Sequence, residues 1–376
     1  MRLTPLILTV AVTLAASVVP ATAVAGRSTL QADADAIRDA GVTGVLARET
    51  TPHGSRLAVS GVAELGRHRP PRLDGRFRIG STNKALVATV VLQLVAERRM
   101  GLDDSVEKWL PGLVQGNGYD GRRITVRHLL QHTAGIYDGN FPSIESAEEY
   151  YERRYRVHTE EEIVRAGLSH PPDFQPGESW SYSNTGYDLV GLVIKAVTGR
   201  SWYDEVDRRI VRPLKLRDTY FPGTDPRIVG PHAHGYTRFT AGEYTDTTEL
   251  IDADASGGYI STVADLDVFV RALFGGRLLK PAQLRELMRT VPVDEQTTEF
   301  WPGARYGLGV ASRDLPCGGT VWIPGGDQIG YKTRLGTTAD GRHSVVVSMS
   351  TQLNDSLDAA LAQERVAKDL VDHAIC

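Results

Sequence analysis

The chain has 376 residues, 41% hydrophobic and 23% charged, ordinary globular values that allow a core large enough for one big domain or two lobes. Its 42 basic and 46 acidic side chains give a formal net charge of -4 with no basic block, so a nucleic-acid partner is not expected. Only two cysteines are present, too few for a thiolate metal site.

The first residues have the pattern of an export signal. Arg2 supplies the positive start, residues 6–19 an apolar core, and Ala23-Val24-Ala25 a small-residue cleavage site, so residues 1–25 are expected to be removed and the protein secreted. The apolar run is broken by Thr and Pro and falls short of the ~20 residues a membrane span needs. No cysteine lies beside the cleavage site for a lipid, so no stable membrane anchor is expected. In an exported protein Cys317 and Cys376 are expected to pair, pinning a C-terminal helix to the sheet, with two free thiols as the alternative.

A short helix is predicted over residues 30–39, then strands at 44–49 and 56–63 joined by the turn Thr51-Pro52-His53-Gly54. The extended run 77–80 leads into Ser81-Thr82-Asn83-Lys84 and an apolar helix. Leu86, Val87, Val90, Val91, Leu92, Leu94 and Val95 surround that helix, which is therefore central, and it is predicted to end near Arg98-Arg99 with Gly101 as its C-cap. Residues 110–254 show helical segments separated by long loops. Thr125 is expected to cap one helix, Thr159 and Glu162 to form a capping box, and residues 186–197 to form an amphipathic helix stopped at Thr198-Gly199. Strands return at 320–323, 331–335 and 344–349, with Asp340-Gly341 as a hairpin turn, before a final helix. The predicted plan is α/β: a sheet built from residues 26–110 and 255–376 and flanked by helices, with a mostly helical domain over residues 111–254 inserted between them.

Ser81 and Lys84 carry the clearest chemical signal. Residues three apart on a helix are neighbours, so the Lys84 amine can reach the Ser81 hydroxyl, a nucleophile beside a base at a helix N-terminus that favours developing negative charge. Tyr182-Ser183-Asn184 is a second candidate, since a loop phenol can relay a proton where nearby cations lower its pKa and an amide can hold a substrate carbonyl. His128 and His132 share a helix face, but Leu129 stands where a metalloprotease needs glutamate, and His232 and His234 lack an acidic cluster, so no metal and no cofactor are expected. No Gly-x-Ser-x-Gly elbow is present.

Taken together, residues 77–84, residues 124–135 (Ile-Thr-Val-Arg-His-Leu-Leu-Gln-His-Thr-Ala-Gly), Tyr182-Ser183-Asn184 and residues 257–262 resemble the serine penicillin-recognising enzymes. These are the class C β-lactamases, esterases and D-alanyl-D-alanine carboxypeptidases related to the Streptomyces secreted DD-peptidase. The resemblance runs from about residue 77 to the C-terminus and implies a β-lactamase/DD-peptidase-like fold with an antiparallel sheet. It implies that Ser81 is acylated, Lys84 accepts its proton, Tyr182 shuttles a proton to activate water, and Asn184 binds the substrate amide. The Ser81 N–H would supply half of the oxyanion hole, and His132-Thr133 a structural helix end.

The third family motif departs from its pattern. Where Lys or His, then Thr, Ser or Gly, then Gly is expected, the chain has Pro324-Gly325-Gly326. Asp327 then falls at the second oxyanion position, where its carboxylate is expected to repel a substrate's terminal carboxylate, while Gly325 and Gly326 permit close approach of a ligand. Arg313, Lys332 and Arg334 are expected at the surface. The resulting expectation is a secreted, monomeric serine hydrolase acting on a small peptide, β-lactam or ester substrate, foremost a D-alanyl-D-alanine carboxypeptidase of cell-wall peptides. The alternatives are a β-lactamase-like esterase and a non-catalytic peptidoglycan-binding protein.

Overall fold

The computed structural model describes residues 29–139 and 144–376; the expected leader, residues 1–25, lies outside the described residues. A nine-stranded antiparallel sheet joins the two ends of the chain. Its order runs Gly54–Gly61, Gly44–Thr51, Ser344–Met349, Tyr331–Thr337, Thr320–Ile323, Ala311–Asp314, Arg305–Tyr306, Val291–Pro292, and the three-residue strand Gly326–Gln328 pairs separately with Tyr331–Thr337. The register Val45↔Met349 through Thr50↔Ser344 locks an early strand to a late one.

Side-chain alternation decides what each sheet face covers. Val345, Val347 and Met349 pack under the helices Leu30–Asp39 and Leu357–Ile375, against Ile37, Ala367, Leu370 and Val371. Val346 and Leu335 face the opposite way, into the main core around the helix Asn83–Ala96. Residues 83–92 of that helix are all buried, as expected of a helix apolar on every side.

This helix stops earlier than its charges suggested. It ends at Ala96, and Arg98 rather than Gly101 takes the left-handed conformation, with φ 59°. The N–H of Arg99 bonds to the Leu94 carbonyl at 3.0 Å and that of Arg98 to Val95 at 3.0 Å, a Schellman closure built without glycine. Gly101 instead donates its N–H to the Asp104 carboxylate at 2.8 Å.

The middle segment contains the predicted helices together with a hairpin where the sequence predicts loop. Thr125 and Thr159 cap their helices as expected, with Glu162 closing one box and the His128 ring closing the other. Asn184–Thr198 ends at Gly199, φ 73°. The hairpin strands Tyr236–Thr240 and Glu243–Asp246 are stabilised at long range, through parallel pairing of the first with Thr351–Leu353. A two-residue pairing of Phe77–Arg78 with Ile260–Ser261 fixes the approach to Ser81.

Cys317 and Cys376 are disulfide-bonded, tying the turn between two sheet strands to the residue that follows the last helix. The bond spans 59 residues, and restricting a loop of that size in the unfolded chain stabilises the fold by about 2–4 kcal/mol. Cys317→Ser is therefore expected to lower the unfolding free energy by that much and the denaturant midpoint with it, read from equilibrium unfolding of oxidised wild type and variant. An unchanged midpoint would contradict the assignment.

Candidate active site

Strand, turn and helix together place the serine. After Phe77–Arg78 the chain makes a tight turn over Gly80–Thr82 and runs directly into the helix Asn83–Ala96. Gly80 has φ 50°, and a Cβ there would lie 2.3 Å from the Asp327 carbonyl oxygen. At Gly326 a Cβ would lie 2.5 Å from the Thr82 nitrogen and 2.8 Å from the Ser81 nitrogen. Both glycines are thus required for the strand Gly326–Gln328 to lie against the serine turn. The contact brings the backbone of Gly326-Asp327 against that of Gly80-Ser81.

Ser81 and Lys84 meet as their spacing requires: Lys84 Nζ lies 3.1 Å from Ser81 Oγ. The same ammonium donates to Asn184 Oδ1 at 2.6 Å and to the Ser256 carbonyl at 3.0 Å. Tyr182 donates its phenol hydrogen to Ser81 Oγ at 2.6 Å, and Lys84 Nζ stands 4.8 Å from the centre of its ring. The four residues Ser81, Lys84, Tyr182 and Asn184 therefore form one connected group, drawn from two parts of the chain about a hundred residues apart.

Burial sets the electrostatics. Lys84 is 1% exposed, and loss of water pulls its pKa down to about 8, against an opposing pull from Asp254, Asp138, Asp188 and Asp252. A neutral amine is thus accessible near neutral pH. The Tyr182 phenol is pushed far up, first by burial and further by Asp138, Asp327 and Asp254. It is held as a donor, so the condition for an accepting phenol, a pKa lowered by nearby cations, is not met. His132 is kept neutral by burial and by Lys84; its Nδ1 accepts the Ser183 N–H at 3.1 Å, and its ring packs 4.4 Å from that of Tyr182. This structural role agrees with the one the resemblance implied.

Several supporting groups escaped the sequence reading. Asp138 accepts the Asn184 backbone N–H at 3.0 Å and its side-chain Nδ2 at 3.2 Å, so the amide is oriented with its oxygen toward Lys84. Asp254 accepts three bonds from the loop that presents the Ser256 carbonyl: Ser256 N at 2.8 Å, Ser256 Oγ at 2.7 Å and Gly257 N at 3.1 Å. Nothing local marks these aspartates in the sequence, apart from the nearness of Asp254 to the motif at 257–262.

The cations near the third motif correct two expectations. Arg313, Lys332 and Arg334 are buried, at 5%, 5% and 6% exposure, and not at the surface. Arg313 pairs with Asp372 at 2.6 Å. Arg334 and Lys332 lie between two carboxylates, Asp327 at 2.5 and 3.5 Å and Glu364, which is 2.6 Å from Lys332 and also paired to Arg334. The Asp327 carboxylate is thus compensated, which removes the repulsion expected of it.

Ser81, Asn184, Asp327, Gln352 and Asn354 stand where two lobes of a cleft meet. One lobe, of about 520 Å³, is walled by Trp180, Tyr182, Phe300, Trp301, Tyr306 and Ile323, and Pro324, Gly325 and Gly326 also line it. The other, of about 540 Å³, is mixed, with Arg153, Arg156, His158, Asp252 and Asp254 among apolar side chains such as Ile163, Leu250 and Ile251. The arrangement suits acyl transfer: a serine with an amine and a phenol on its oxygen, beside a closely approaching backbone strand, opening on space for both halves of a substrate.

Known proteins place this geometry. A Beta-lactamase family model matches residues 24–369. Penicillin-binding protein 4* of Bacillus subtilis (strain 168) is 26% identical over 323 residues, 80% of this chain and 66% of that protein. Esterase EstB of Burkholderia gladioli is 33% identical over 207 residues, 52% of this chain and 50% of its own. The chain thus spans between half and two thirds of the length of these curated relatives. A D-stereospecific amidohydrolase from Streptomyces sp. superimposes with a TM-score of 0.79 at 38% identity, over 89% of this chain and 97% of that one. With the sheet, the flanking helices and a family match across nearly the whole described chain, the protein belongs to the Beta-lactamase family of serine hydrolases.

Proposed function

We propose that this protein hydrolyses an amide or ester bond next to a D-configured residue with a neutral, bulky apolar or aromatic side chain, through an acyl-enzyme on Ser81. The observation that carries this reading is the convergence of Lys84 Nζ and Tyr182 Oη on the Ser81 oxygen, at 3.1 and 2.6 Å. The D-configuration is supported by likeness to a D-stereospecific amidohydrolase, and the side-chain preference by the aromatic lobe beside Ser81.

In this mechanism neutral Lys84 takes the Ser81 proton as Oγ adds to the substrate carbonyl. The N–H groups of Ser81 and Asp327 receive the oxyanion. Tyr182 gives its proton to the departing amine or alcohol and is reprotonated from Lys84, returning the lysine to its neutral form. Water then releases the acyl group, its proton passing through Tyr182. A phenol kept protonated by burial suits this relay better than a resident phenolate does.

Amide or ester leaving groups without a free carboxylate fit the site best. Pro324 stands where the family's cation is expected, and Lys332 and Arg334 are already paired with Asp327 and Glu364. A D-alanyl-D-alanine carboxypeptidase acting outside the cell is the second reading, supported by the penicillin-binding relative and by Arg153, Arg156 and His158 in the larger lobe.

Mature protein treated with a labelled penicillin and, separately, with a fluorophosphonate should carry the fluorophosphonate on Ser81, located by mass spectrometry. A penicillin adduct as well would favour the carboxypeptidase, and neither adduct would favour a binding protein without turnover. Ser81→Ala should abolish turnover with the fold intact, and Tyr182→Phe should let the acyl-enzyme accumulate; full activity in Ser81→Ala would end the mechanism.

The pH dependence follows from Lys84. Because its folded pKa is depressed to about 8, the reactive neutral form grows as pH rises through that value, so the fluorophosphonate labelling rate should climb between pH 6 and 8 and level off above about 9. A rate flat across this range would exclude Lys84 as the base.

A further inference from the structure

The strand Gly326–Gln328 is short for its task. It has three residues, one pairing partner and an open edge toward the serine turn, yet the Asp327 N–H has to be held to within a fraction of an ångström beside Ser81. Arg334 grips this strand twice: Nη1 donates to the Gly326 carbonyl at 3.3 Å and pairs with the Asp327 carboxylate at 2.5 Å. Lys332 adds a contact to Asp327 at 3.5 Å.

Both cations are in turn fixed by one residue on a different element. Glu364, on the helix Leu357–Ile375, takes Lys332 Nζ at 2.6 Å and Arg334 Nε at 2.9 Å, with a further contact to Arg334 Nη2. Its other neighbour is Trp301, whose indole N–H points at Glu364 Oε2 from 3.4 Å and which walls the aromatic lobe. Glu364 is 6% exposed. Burial works against its charge, but Arg334 and Lys332 outweigh this and hold the carboxyl well below the usual range.

We propose that Glu364 is a positioning residue for catalysis: through Arg334 and Lys332 it holds Asp327, and with it the second oxyanion N–H, against Ser81. This rests on the acyl-enzyme reading above. Glu364 lines the aromatic lobe with Lys332 and Arg334, and its bonds go to these two cations and to Trp301, so the link to Asp327 runs through the cations. The four side chains balance two charges of each sign, so replacing one unbalances the rest and frees the guanidinium that grips the strand. This assigns a purpose to the departure at the third motif: a charge-balanced ion network beside the strand does the holding, and Pro324 places no cation at that motif position.

The test compares wild type with Glu364→Gln, Asp327→Asn and the double variant, each normalised to fluorophosphonate-titrated sites so that only folded enzyme counts. If wild type itself fails to titrate on Ser81, the acyl-enzyme reading has failed, which is distinct from failure of the present proposal. On a neutral ester substrate, Glu364→Gln is expected to lose about 10- to 100-fold in kcat with KM changed less than about threefold, the mark of a transition-state donor out of place. Affinity for a boronic acid, whose Ser81 adduct carries the tetrahedral oxyanion, should fall in parallel, while affinity for the product acid should not. Because Glu364 and Asp327 act along one path, the double variant should be no slower than the worse single one. Should Glu364→Gln not fold, Asp327→Asn, altered at the cleft edge with the Glu364 contacts intact, must show the same loss of kcat and boronate affinity. Titrated variants with wild-type kcat and boronate affinity, or losses that multiply in the double variant, would overturn the proposal.

Discussion

A lysine ammonium deprived of water is the constraint on which the rest of the site depends. In the open, Lys84 would stay charged to above pH 10 and could not take a proton from a serine near neutrality. Enclosed by the helix it starts and by Tyr182 and Tyr187, its pKa falls to about 8, a bias of about 3 kcal/mol against the charged form. Burial is the larger effect, and the opposing aspartates temper it. The amine is held by Ser81, Asn184 and the Ser256 carbonyl, and with its pKa at about 8 its proton can leave and return.

The fold makes such burial possible by drawing the site from distant parts of the chain. The helix that carries Lys84 lies in the main core and cannot expose it. The Tyr182-Ser183-Asn184 loop caps a second buried helix, and the 254–257 loop closes over the amine through the Asp254 carboxylate. The oxyanion strand comes from the other side, seated by Gly80 and Gly326 and backed by ion pairs that reach the last helix. Paired buried charges contribute little net stability, but they hold one arrangement firmly, and firm placement is what an oxyanion donor needs.

Much of this was legible in the sequence wherever the determinants are local. Ser81 and Lys84 sit one helical turn apart, so their contact followed from spacing alone; Thr125 and Thr159 stand at N-caps; the late strand Ser344–Met349 carries a continuous Val run. The family resemblance supplied Tyr182 and Asn184, which spacing could not bring to Ser81 across a hundred residues. What escaped detection depends on distant partners. Arg334 and Lys332 look like surface residues until Glu364, some thirty positions on, is folded beside them, and the strand Tyr236–Thr240 acquires its neighbour only when Thr351–Leu353 arrives. Arg98 closes its helix in a conformation usually left to glycine, which no local propensity favours.

The central claim concerns a proton on one nitrogen, and it can be measured directly. Lysine labelled with carbon-13 at the ε position reports its own titration by NMR, and the Lys84 signal is identified by its loss in Lys84→Arg. The account predicts that this signal titrates near pH 8, well below the other lysines. Titration near the ordinary lysine value of about 10.4 would contradict it, because Ser81 would then have no base beside it at neutral pH.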